Sequence, residues 1–170
     1  MNAPAASGAP GILRRILSMM YETTLLFAVA FIATWLFQFA AGGVIASGWQ
    51  RTALQAYLGA VFAAYFMWCW LRGGQTLAMK AWGIRLVVPG KARIPAVTAL
   101  KRLALAAIFV GSFVAALFGA FVHRNPWVAF ATLAVTGIGL GWALVDRDRQ
   151  FLHDRLAGTR LILVSENKPD

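Results

Sequence analysis

Four stretches of this chain carry no charged residue and are long enough to cross a bilayer: Thr23–Ala41, Leu54–Leu71, Leu103–Val122 and Trp127–Val145. A spanning helix takes about 17–25 predominantly apolar residues. Hydrocarbon offers no partner to a backbone N–H or C=O, so such stretches are restricted to helix. Composition agrees, with 60% hydrophobic and 13% charged residues, against roughly 45–50% and about 25% in a soluble domain. With so few charges a soluble fold could not cover its own surface, so the chain reads as one membrane domain.

Between the first two spans lies a short link with Arg51, and between the last two lies "HRNP", whose Asn125-Pro126 step breaks a helix. As helices the spans cover about residues 16–41, 54–71, 103–122 and 127–145 of a membrane domain running from 12 to 164. Residues 1–11, rich in Ala, Pro and Gly, read as a disordered lead-in, and 165–170 as a short tail. A cleaved signal peptide is the lesser reading of the first segment. Glu22 interrupts it, and its apolar run exceeds the roughly 7–15 residues of a signal core.

The charges orient the spans. With the N-terminus cytoplasmic, 14 of the 16 Lys and Arg residues fall on that side, leaving only Arg51 and Arg124 outside. Both termini are therefore expected on the cytoplasmic face of a cell (inner) membrane. The net charge of +10 is then accounted for by orientation and by attraction to anionic lipid headgroups, about 1 kcal/mol per basic residue near the surface. Nucleic acid is not needed to explain it.

Chemical motifs are sparse. Cys69 is the lone cysteine, His123 and His153 fall on opposite sides of the membrane, and no metal or cofactor site is expected. "GIGLG" at 137–141 faintly echoes a nucleotide loop but lies inside an apolar helix with no strand before it. Its better reading is a small-residue face for close helix packing, Gly137 with Gly141, with Gly111, Ala115 and Gly119 at the same spacing on the third span. With no nucleophile–base or metal constellation, no enzyme activity is expected.

The more polar segments hold a repeat at an offset of 75: "QTLAMKAWGIRLVV" (75–88) lies over "QFLHDRLAGTRLIL" (150–163). Gln, Leu, Gly, Arg and Leu recur in register, and "LRRIL" before the first span echoes "LKRLAL" before the third. Each half reads as a basic start, a helical hairpin, a short amphipathic helix, a glycine in a left-handed turn (Gly83, Gly158) and a short strand. Pro89-Gly90 suits the centre of a type II turn. The expected fold is an all-α membrane protein: four transmembrane helices as two hairpins in parallel repeat, with a small cytoplasmic cap of amphipathic helices and short β-strands. Neighbouring strands related by that axis are expected to pair antiparallel.

On "LRRILSMMYE", "GQTLAMKAWGIRLV" and "RQFLHDRLAGT", the chain resembles the RDD family, bacterial membrane proteins named for one arginine and two aspartates. The likeness covers roughly residues 13–164. It implies that Arg14 or Arg15 stands for the family arginine and Asp154 for the second aspartate, while Glu22 occupies the first aspartate position. Transport of a small ion or solute is the activity the resemblance implies.

Glu22 lies about 10 Å along the helix from Arg15 and nearly on the same face, with Ser18 between them. An ionisable residue at this depth faces the bundle interior and has a partner. One reading makes Glu22 a proton- or cation-binding carboxylate. The preferred one makes it the anion of a buried polar cluster with Arg14, Arg15, Lys80 or Arg155, since such clusters set geometry without chemistry. Asp154, between basic neighbours, reads either as a solvated charge on an interfacial helix or as a partner of Arg14 or Arg15. Thr34 and Gln38 in the first span, and Thr132 and Thr136 in the fourth, are assigned no site role. Two functions remain open, a transporter or transport-associated subunit and a membrane scaffold or assembly factor docking partners on the basic face. Four spans make a thin bundle, so transport favours a homo-oligomer or another membrane protein as partner.

Overall fold

The computed structural model describes residues 6–43, 48–118, 126–146 and 150–164. In chain order the elements are β1 (Ala6–Ser7), α1 (Ile12–Ala40), α2 (Gly48–Gly73), α3 (Leu77–Ala81), β2 (Ile84–Val87), α4 (Ala96–Phe118), α5 (Pro126–Val145), α6 (Leu152–Leu156) and β3 (Arg160–Val164). Of these, α1 and α2 are long and apolar enough to cross a membrane by length and composition. Little of either is buried within the protein. Outward-facing residues such as Phe27 and Phe31 are about 70% exposed (74% and 69%), as suits helices solvated by lipid rather than water.

Helix α2 packs against both α1 and α4, and α4 makes its most extensive contacts with α5. The short helices lie at the helix ends, α3 against α1 and α6 against α4 and α5. Glycine shapes the α4/α5 contact at Gly139. An added Cβ at Gly139 would come within 2.5 Å of the Phe109 ring, whereas at Gly111, Gly137 or Gly141 it would meet nothing within 4 Å among the described residues. The close approach among the described residues is a ring laid on one glycine, and Gly119 lies outside them.

The strands form a small sheet in the order β1-β3-β2. Antiparallel pairing of β2 with β3 sets Ile84 opposite Leu163 and Leu86 opposite Leu161, the arrangement expected of the two repeat strands. Each follows its helix through a left-handed glycine, Gly83 at φ 61° and Gly158 at φ 68°. The Lys91 N–H donates to the Val88 carbonyl across Pro89-Gly90, with Gly90 at φ 74°, which closes the anticipated type II turn. Residues 6–11 do not behave as a free lead-in. Ala6 and Ser7 pair with Val164 and Leu163, and Pro10 is fully buried. The Ala-, Pro- and Gly-rich composition gave no hint of this, because an edge strand needs only backbone groups.

Under the helix ends Trp70, Met79, Ile84, Leu86, Ile94, Ala99 and Leu161 form the apolar core. It joins the sheet and α3 to the end of α2 and the start of α4, so the cap is packed onto the bundle rather than tethered beside it.

Candidate functional site

Gln75 and Gln150, at equivalent positions of the two polar segments, each tie a short helix to a strand. The Gln75 amide donates to the Ile84 carbonyl at 2.7 Å. Gln150 accepts from the Leu161 N–H at 3.1 Å. Each glutamine, immediately before its short helix, thus ties that helix's start to the strand after it. The result is a platform at one end of the bundle, into which ionisable side chains are built.

Glu22 is the residue that fastens α1 to this platform. The Tyr65 hydroxyl on α2 donates to one carboxylate oxygen at 2.7 Å, and the Thr76 hydroxyl donates to the other. Thr76 in turn accepts from the Met79 N–H, capping α3. Glu22 was expected to pair with Arg14, Arg15, Lys80 or Arg155. Among the described residues it makes no salt bridge, and its partners are hydroxyls. Lys80 and Arg14 are exposed, and Arg155 instead approaches Asp146 at 3.4 Å.

The cations gather around Asp154. This carboxylate is fully buried, so it is not a solvated surface charge. Its ion-pair partner is Arg102 at the start of α4, which also donates to the Thr159 hydroxyl at 2.9 Å. Arg15 is the buried member of the Arg14–Arg15 pair, 1% exposed. Its Nε donates to the Pro10 carbonyl at 3.0 Å and its guanidinium lies over the Phe151 ring. Both Asp154 and Asp146 act on it electrostatically. Arg102 was absent from the expected cluster, and the echo of "LRRIL" in "LKRLAL" was the signal that pairs it with Arg15.

His153 completes the arrangement, with the Phe151 ring stacked on it at 5.8 Å and the Phe109 ring tilted at 6.1 Å between centroids and Nε2 3.3 Å from Asp154. Burial holds its pKa down to about 4. Asp154 opposes the shift, and Arg102 and Arg15 reinforce it. The imidazole is therefore neutral at pH 7.

Above this polar floor a cavity of about 690 Å³ opens between α1, α2 and α4. Arg15, Ser18, Glu22, Thr76, Arg102 and His153 line its floor end. Leu26, Gly59, Phe62, Leu103 and Gly111 belong to its apolar walls. The arrangement offers a charged, hydroxyl-bearing end and an apolar body, which suits binding more than bond-making chemistry. Among the described residues no group of three or more His, Cys, Asp or Glu side chains could hold a metal.

Comparison with known proteins yields no match among curated proteins and none among solved structures. The model of the RDD family does match, over residues 9–158, a span that contains Arg15, Glu22, the cavity walls and Asp154. The chain belongs to the RDD family of membrane proteins.

Proposed function

We propose that this protein moves a small ion or solute across the membrane, alone or as a transport-associated subunit, using the cavity between α1, α2 and α4 as its binding site. The observation that carries this reading is the cavity itself, which reaches Glu22 and Arg102 from within the bundle.

In this reading α4 and α5 are the third and fourth spans, and the two hairpins are parallel repeats about an axis along the membrane normal. The paired glutamines, the paired left-handed glycines and the antiparallel strands support that symmetry. The cap and both termini lie on the cytoplasmic side of a bacterial inner membrane, supported by the lopsided basic residues. The protein works without a catalytic site, and a homo-oligomer supplies the wall that four spans lack. Flux of protons and monovalent cations into proteoliposomes tests the reading. Wild type should exceed protein-free vesicles, and a Gly59→Leu/Gly111→Leu variant, which narrows the cavity, should not. Flux equal to that of empty vesicles for wild type overturns transport of these ions.

The scaffold reading is supported by a different observation. Arg14, Lys80, Lys91, Arg93 and Arg155 are all exposed, a basic surface suited to an acidic partner. It predicts a stoichiometric partner in mild detergent and no flux.

A further inference from the structure

The walls of the cavity have a definite length. From Arg102 to Gly111 on α4 is nine residues, about 14 Å at 1.5 Å per residue. From Arg15 to Leu26 on α1 and from Trp70 back to Gly59 on α2 are eleven residues each, about 17 Å. Half of a hydrocarbon core about 30 Å thick is about 15 Å. All three walls are therefore about as long as one leaflet is deep.

The two ends differ in chemistry. The deep end is apolar and includes two glycines, Gly59 and Gly111, beside which an added Cβ would meet nothing within 4 Å among the described residues. At the shallow end two N–H donors on cavity-lining residues, Trp70 Nε1 and Arg102 Nε, are buried with no hydrogen-bond partner among the described residues. They belong to one patch, because the Arg102 guanidinium lies 5.2 Å from the centre of the Trp70 ring. Orphaned buried donors are rare and call for an acceptor. Arg15, also lining the cavity, adds a second cation at the same level.

We propose that the cavity holds an anionic phospholipid of the leaflet on the sheet side, one acyl chain lying between α1, α2 and α4 and its phosphate at Trp70 and Arg102. The apolar walls match the chain in length, and the donors match a group that only accepts. An inorganic ion satisfies the donors but leaves the apolar walls unfilled. The inference rests on the cavity being a binding site, and it is independent of whether a solute crosses there. A solute and the lipid would compete for the same volume.

The test uses the full chain in nanodiscs of phosphatidylcholine doped with phosphatidylglycerol bearing a photoreactive group at mid-chain. Adducts mapped by mass spectrometry are expected on cavity-wall peptides containing Leu26, Gly59 or Gly111. Unlabelled phosphatidylglycerol should compete about tenfold better than phosphatidylcholine, which offers the same phosphate but brings a choline cation toward Arg102 and Arg15. Gly59→Leu/Gly111→Leu fills the deep end at positions with room for a side chain, so labelling there should fall while thermal stability holds. Trp70→Phe should keep the chain labelled and weaken competition by both lipids about fivefold, as loss of one hydrogen bond to their shared phosphate, near 1 kcal/mol, would. Adducts confined to outward-facing residues such as Phe27 and Phe31, or equal competition by the two lipids, overturn the proposal. Labelling without flux sinks the transport reading alone, and flux without labelling sinks the lipid site alone.

Discussion

Arg102 on α4 and Asp154 on α6, 52 positions apart, form an ion pair in which neither side chain is more than 8% exposed. The pair bolts the second short helix to the start of a long one, and Arg15 from the first helix adds its charge to the same carboxylate. Three separate segments thus meet at one anion. Removing one partner of a buried pair leaves an uncompensated charge, whereas replacing both leaves only a packing change.

Asp154→Ala should therefore lower stability by about 3–5 kcal/mol, read as a fall in melting temperature in detergent. Arg102→Met should cost a similar amount. The Arg102→Met/Asp154→Leu double variant should lose clearly less than the sum of the single changes. Additive losses would mean that the two side chains act independently.

Glu22 accepts from two hydroxyls, and a glutamine can accept on only one of its two terminal atoms. Glu22→Gln should then cost about 1–3 kcal/mol by leaving a hydroxyl unsatisfied, and Glu22→Ala more, because Tyr65 and Thr76 both lose their acceptor. Glu22→Asp keeps both acceptor oxygens and should be the mildest change. Thermal stability that is the same for all three variants and wild type would remove Glu22 from its role in joining α1 to α2 and α3.

His153 gives the fold a pH dependence of known sign. Its folded-state pKa of about 4 lies below the ordinary 6.5, so the unfolded chain binds the proton first as pH falls. Its contribution is fully present above pH 6.5 and drains away between 6.5 and 4, by about 3 kcal/mol in all. His153→Leu should flatten that part of the stability–pH curve. An unchanged slope in the variant would show that other groups set it.

The Phe109 ring on Gly139 makes a sharp steric prediction. Gly139→Val should destabilise the α4/α5 contact by about 1–3 kcal/mol through overpacking, and Phe109→Ala should relieve much of that loss in the double variant. Gly137→Val and Gly141→Val, with space around them, should be milder. Equal losses at all three glycines would contradict the packing described.

What the sequence disclosed was whatever is local. The left turns at Gly83 and Gly158, the Pro89-Gly90 turn and the antiparallel strands follow from residue type and repetition. Membrane character follows from uncharged length. The partners of the ionisable residues did not follow, because spacing along one helix reports its face and not what meets that face. Glu22 found Thr76 and Tyr65 instead of a cation, and Lys80 is exposed although it shares the repeat with Arg155. Gly139 was passed over because its contact is with a ring, which leaves no second small residue to complete a spacing motif.

The proposed topology is one-sided, with the sheet, the polar floor and both termini on the cytoplasmic face. Cysteine labelling with an impermeant thiol reagent tests it most directly. In a Cys69→Ala background, Ser47→Cys and Asn125→Cys should label in intact cells. Ser7→Cys and Ser165→Cys should stay protected until the membrane is opened. Labelling of Ser7→Cys or Ser165→Cys in intact cells, or protection of Ser47→Cys and Asn125→Cys, would contradict the account.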